Sequence, residues 1–183
     1  MAKEGESVDG VTDSGVSIGA ADGAKAAASG NSNSNSARAT SERHAGILND
    51  YKNETSPFFD WVRDRLGDVR LDDWDWGQAN FSWTIDDRYI VGDGFTFGGH
   101  IAAVADHVAA VVAMTALSDV DDRFRTGRLD TQFFRPVTKP SARIEARVVN
   151  ISRSLVNVEA DFFTAKNKLA VRIAATQVRT RAK

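Results

Sequence analysis

Residues Phe95 to Leu117 read FTFGGHIAAVADHVAAVVAMTAL. Between Ile101 and Leu117 only Asp106, His107 and Thr115 carry polar side-chain groups, which predicts one long helix buried on more than one side. A carboxylate in such a helix is costly unless it is paired, hydrated or useful. Eight residues before it, Gly98 and Gly99 can bring bare backbone N–H groups to the helix start, where the dipole favours negative charge. A carboxylate base and an anion-stabilising helix start are parts that ester or thioester hydrolysis needs. The same residues admit a plainer reading, a buried Asp bonded to backbone beside glycines kept for packing.

Upstream of this helix the hydrophobic period is two. DWDWGQANFSWTIDD alternates through Trp74, Trp76, Phe81, Trp83 and Ile85 and suggests strands. Arg88 to Val91 reads as a further short strand, with Gly92, Asp93 and Gly94 as the turn before the helix. Downstream come four strand-like runs: Arg128 to Val137, Ala142 to Ile151, Leu155 to Thr164 and Leu169 to Arg179. Within the second, Ala142, Ile144, Ala146 and Val148 share one face, and Arg143, Glu145 and Arg147 the other. That is an antiparallel strand with one buried side. An antiparallel sheet has one face to cover and the apolar helix has more than one, so the economical solution curls the sheet around the helix. The expected class is α+β.

Before this unit, Ser41-Glu42 can cap a short helix with Ala45, Ile47, Leu48 and Tyr51 on its apolar side. A second helix starts at Ser56-Pro57, ends at Gly67, and carries Phe58, Phe59, Val62 and Leu66 at helical spacing. Residues 1 to 40 hold no Leu and no aromatic residue and include NSNSNS at Asn31 to Ser36. They cannot bury enough apolar surface to offset their ordering entropy, and a disordered low-complexity tail is expected. The expected organisation is therefore 1–40 tail, 41–76 helical extension and 77–183 main domain.

The 183 residues carry a net charge of −2, so nothing marks a polyanion partner, and no nucleic-acid-binding signature is present. Cysteine is absent, which removes disulfides, thiolate metal sites and a Cys nucleophile, and fits a cytoplasmic location. No secretory signal pattern is visible, and Ile101 to Leu117 falls short of a membrane span, so no membrane partner is expected. His100 and His107 lie seven apart on one helix face without a third metal ligand, so no metal is expected.

The order of two strands, one buried helix and four strands, with these motifs, resembles the hotdog-fold acyl-CoA thioesterases. The branch it resembles most is the phenylacetate-pathway type, related to the 4-hydroxybenzoyl-CoA thioesterases. In that family His-Gly-Gly opens the central helix, and an acid follows eight residues after the first Gly. Here Phe97-Gly98-Gly99 and Asp106 occupy those positions. The family's Ser or Thr, ten residues before a Pro, is Thr126 before Pro136 in TGRLDTQFFRPV. An Arg-Ser turn between two later strands matches Arg153-Ser154. Two positions depart. Phe97 replaces the usual His, and Val91 stands where relatives carry a polar residue that touches the substrate carbonyl.

The resemblance implies hydrolysis of an acyl-CoA to free acid and CoA, with the thioester as substrate and no cofactor. The Gly98 N–H would hold the oxyanion, Asp106 would act as general base or nucleophile, and Thr126 would position water or carboxylate from a neighbouring subunit. Phe95 and Phe97 are candidate walls for the acyl group. His100 is a further substrate contact, and Arg135, Arg153 and Ser154 are candidate phosphate contacts. A homodimer or homotetramer is implied. Two alternatives are a hotdog module that binds an acyl-CoA without turnover, which Val91 and Phe97 favour, and a hotdog dehydratase, which His100 keeps open.

Overall fold

The computed structural model describes residues 39–181. The reading of residues 1–40 therefore lies outside the described residues, but for its last two. In chain order the described elements are α1 (Glu42–Lys52), α2 (Pro57–Leu66), β1 (Asp68–Asp75), β2 (Gln78–Thr84), a 3-10 turn (Asp87–Tyr89), α3 (Gly98–Thr115), β3 (Asp122–Phe133), β4 (Ser141–Ile151), β5 (Leu155–Thr164) and β6 (Leu169–Arg181). The strands form one sheet in the order β1-β2-β4-β5-β6-β3, antiparallel at every pairing.

Period-two alternation decides which face of each strand is buried. Phe81 and Trp83 on β2, Ile144 on β4, Val158 and Phe162 on β5, and Ile173 on β6 all turn to one side and are buried. Arg143, Glu145 and Arg147 point to the other side, as the sequence predicts. The buried side wraps α3, which contacts every strand of the sheet. Burying Ile101, Val104, Val108, Val111 and Val112 contributes on the order of 10 kcal/mol. By length and composition alone α3 could cross a membrane. Here the sheet supplies its apolar surroundings instead. This is the hotdog fold, an α+β architecture with helices added before it.

Those helices begin and end where their caps predict. Ser41 Oγ accepts from the His44 N–H and Ser56 Oγ from the Phe58 N–H. Gly67 closes α2 at φ 87°, ψ −172°, a conformation open essentially to glycine. Leu48, Tyr51, Phe59 and Val62 bury their side chains in the common core.

Three boundaries differ from expectation. The 41–76 segment is not helical throughout: β1 lies within it and pairs with β2, because Val69 and Leu71 supply a buried alternating face. Arg88 to Val91 is not a strand. Asp86 accepts from the Arg88 N–H and starts a 3-10 turn, and only Ile90 bridges, to Thr96. The strand expected at Arg128 to Val137 runs from Asp122 to Phe133. Its start is held by the buried Asp122–Arg179 ion pair, and its end peels away where Phe134 and Arg135 N–H groups both donate to the Ala170 carbonyl.

Candidate active site

The turn Gly92–Gly94 and two backbone bonds, Thr96 N–H to Val137 O and Phe97 N–H to Tyr89 O, aim the chain into α3. Phe97 is the N-cap residue and offers no side-chain acceptor. The helix's own backbone bonds start with His100 and Ile101 N–H, both donating to the Phe97 carbonyl. The Gly98 and Gly99 N–H groups therefore stand uncapped at the positive end of an 18-residue helix dipole. Beside them is a cleft of about 400 Å³, lined by Phe95, Thr96, Gly98, Ile101, Phe133, Phe134, Arg135, Pro136 and Val137. The Phe133 ring approaches Gly98 to 3.6 Å of where a Cβ would stand, and the Phe97 ring lies across Gly99. Both rings are largely exposed, Phe97 at 59% and Phe133 at 53%. The arrangement is a pair of uncapped amides under an apolar, aromatic wall, and a helix start of this kind can accept an anion.

Asp106 is half-buried and makes no hydrogen bond or ion pair to the described residues. It lies on the one open side of α3, with Gly99, Ala103, Ala110 and Met114. Eight residues separate it from Gly98, which is about 12 Å along a helix axis. Within one protomer Asp106 is therefore outside the cleft. Thr126 sits on β3, exposed, and its O–H donates to Gln177 Oε1 at 3.1 Å.

Two histidines of α3, His107 and His100, join the helical extension to it. His107 is buried, and its Nε2 lies 3.0 Å from Tyr51 Oη. The single Tyr51 hydrogen goes to the Val69 carbonyl at 2.6 Å, so the imidazole Nε2–H is the donor in that pair. Burial pushes the His107 pKa down to about 4 and drives the Tyr51 hydroxyl well above its ordinary value. His100 stacks on Tyr89 and meets the Leu66 carbonyl through Nε2 at 3.0 Å. Burial, as the largest cause, lowers its pKa. These contacts turn it toward α2 and away from the cleft lining. His44, which carries no signal in the sequence, is buried with Nδ1 2.6 Å from Ser41 Oγ, and burial followed by the nearby Arg43 charge lowers its pKa.

The structure thus brings Gly98, Phe95 and Arg135 together at one cleft, with Phe97 and Gly99 beside them. Arg135 Nη1 donates to the Leu169 carbonyl at 2.7 Å. Val91 is half-buried at the start of the Gly92–Gly94 turn. Arg153 and Ser154 are not brought to the cleft of the same protomer. Their turn bonds to Arg179, and Phe133 pairs with Val171 eight residues away on β6, roughly 27 Å along a strand. Among the described residues no group of three or more His, Asp or Glu could hold a metal ion. Phe133 and Phe134 were not singled out in the sequence, although FF before Arg-Pro at a strand end marks a site where side chains leave the sheet.

The family model described as Thioesterase superfamily matches residues 93–171. No curated protein matches the chain. Among solved structures, a thioesterase from Haemophilus influenzae is 18% identical with a TM-score of 0.63, over 73% of this chain and 90% of that one. A phenylacetic acid degradation-related protein from Ralstonia eutropha is 23% identical (TM-score 0.61, 72% and 98% covered). A hypothetical thioesterase from Streptococcus pneumoniae, solved with coenzyme A, is 11% identical (TM-score 0.62, 69% and 96% covered). At these identities the likeness is one of fold. The sheet order, the buried helix opened by Gly98-Gly99 and the match over residues 93–171 agree on a hotdog fold, and residues 93–171 are similar to the thioesterase superfamily.

Proposed function

We propose that this protein hydrolyses an acyl-CoA thioester to the free acid and CoA at the cleft where α3 begins. The observation that carries the reading is the uncapped Gly98 and Gly99 amide pair beside an apolar cleft of about 400 Å³. The thioester carbonyl oxygen would lie against the Gly98 N–H, and its acyl group among Phe95, Ile101 and Phe133. An oxyanion donor of this kind is worth about 10²–10³ in rate. Asp106 acts as general base on water, or attacks the carbonyl to form an anhydride that water then opens.

Asp106 cannot serve the Gly98 of its own chain across about 12 Å of helix. A two-fold dimer with α3 lying antiparallel to its copy closes that gap, because it sets Gly98 of one protomer near Asp106 of the other. The open side of α3, with Gly99, Ala103, Ala110 and Met114 around Asp106, and the edge strand β3 support such a homodimer, alone or paired into a homotetramer. Thr126 on β3 then belongs to the shared site. Arg135 stands nearest the cleft for a CoA phosphate, and Arg153 and Ser154 reach one only from a neighbouring copy.

One observation favours a second reading, a module that binds acyl-CoA without turnover. Phe97, 59% exposed, occupies the position where the resemblance expects a polar ring. The test is thiol release from a panel of short, medium, aromatic and long acyl-CoA esters. Hydrolysis of any ester supports the enzyme. Thermal stabilisation by the esters without thiol release supports the binder and overturns the first reading.

A further inference from the structure

β6 turns Val171, Ile173, Ala175 and Gln177 to the same side, and all four are buried. Three are apolar, while the fourth is an amide with 0% exposure. Gln177 Oε1 accepts from Thr126, directly across the β3–β6 pairing, and Nε2 has no partner among the described residues. A buried polar end left unpaired is costly, and Met or Leu would fill the same space without that cost. Glutamine is thus a poor choice for packing alone.

What Gln177 does hold is the Thr126 hydroxyl. Thr126 sits at a bulge in the edge strand, where the β3–β6 register shifts between Thr126 and Arg128. The intervening Gly127 lies so close to Val178 that a Cβ would stand 2.8 Å from Cγ2. Bulges of this kind re-aim a side chain beside a site. With its hydrogen spent on Gln177, Thr126 Oγ1 presents only lone pairs outward.

We propose that Gln177 is a positioning residue for Thr126: it takes the hydroxyl hydrogen and so fixes Thr126 Oγ1 as a hydrogen-bond acceptor for the attacking water. The inference rests on the thioesterase reading, with Thr126 in the site. The water donates one hydrogen to Thr126 and gives the other, as a proton, to Asp106. Its oxygen bonds to the acyl carbon, the carbon–sulfur bond breaks, and the CoA thiolate leaves and is protonated.

The experiment is a double-mutant cycle of Gln177→Met and Thr126→Val in the full chain, read by kcat, KM and melting temperature on the best substrate of the acyl-CoA panel. Gln177→Leu serves as a second shape for the site. Gln177→Met is expected to lower kcat about ten- to a hundredfold. KM should change less than about threefold, and the melting temperature should stay level or rise, because the unpaired amide is gone. In the Thr126→Val background Gln177→Met should change kcat no further. An unchanged kcat in both Gln177 variants overturns the proposal. So does an equal loss with and without the Thr126 hydroxyl, or a loss of kcat that tracks a falling melting temperature. A wild-type protein that releases no thiol from any ester overturns the thioesterase reading itself, and this inference with it.

Discussion

Acidification should loosen this protein most through one side chain, His107. The imidazole is buried against Tyr51 and Phe58, with no charged group among the contacts that shift it, and burial takes its pKa from 6.5 to about 4. The folded-state value is the depressed one. Above pH 6.5 both folded and unfolded chains hold neutral imidazole, and the contact contributes in full. Between 6.5 and about 4 the unfolded chain binds a proton that the folded chain refuses, so stability falls as pH falls. The gap corresponds to about 3 kcal/mol, a large share of the 5–15 kcal/mol typical of a domain. Urea unfolding of wild type and His107→Gln from pH 7.5 to 4.5 isolates the effect, because His44, His100 and every carboxylate titrate in both. Wild type should lose about 2–3 kcal/mol more than the variant over that range. Parallel losses in the two proteins would refute the reasoning.

Three further outcomes follow from the same structure. Tyr51→Phe leaves the Val69 carbonyl and the His107 Nε2–H unpaired and should cost about 1–3 kcal/mol in urea unfolding at pH 7.5. Gly67→Ala forces a side chain into φ 87° beside Tyr89 and Trp83 and should cost about 1–3 kcal/mol in the same assay. Phe133→Ala removes an exposed ring beside Gly98, so stability should move by less than about 1 kcal/mol while KM for the best acyl-CoA rises roughly tenfold in steady-state assays.

The sheet strands that alternate cleanly were legible in the sequence. β5 runs from Leu155 to Thr164 as expected, and β4 buries Ala142, Ile144 and Ala146 as its pattern requires. The caps at Ser41 and Ser56 were legible for the same local reason. β3 was legible only in part, because its first half, DRFRTG, lies on an exposed edge and has little alternation to read. Its extent is decided by pairing to β6 and by the Asp122–Arg179 pair, 57 residues apart in sequence. Gly98 and Asp106 stand out in the sequence by spacing and by an isolated charge in an apolar run; the structure brings Gly98 to the cleft and sets Asp106 about 12 Å further along the helix axis. Gln177 did not, since one glutamine in a strand reads as solvent-facing, yet its phase with Val171, Ile173 and Ala175 marks it as inward. His100 looked available from its place in the first turn of α3, and only tertiary contacts with Leu66 and Tyr89 reveal its engagement.

In the proposed mechanism a carboxylate on the open side of α3 works with the uncapped amides at its start. The most direct measurement is thiol release by wild type and Asp106→Asn across the acyl-CoA panel, with melting temperatures of the same samples. Wild type should hydrolyse at least one ester, and the variant should lose about 10²–10⁴ in kcat. Because Asp106 makes no bond that folding needs, the melting temperature should be unchanged or higher. Full turnover by Asp106→Asn on every ester that the wild type hydrolyses would contradict this mechanism.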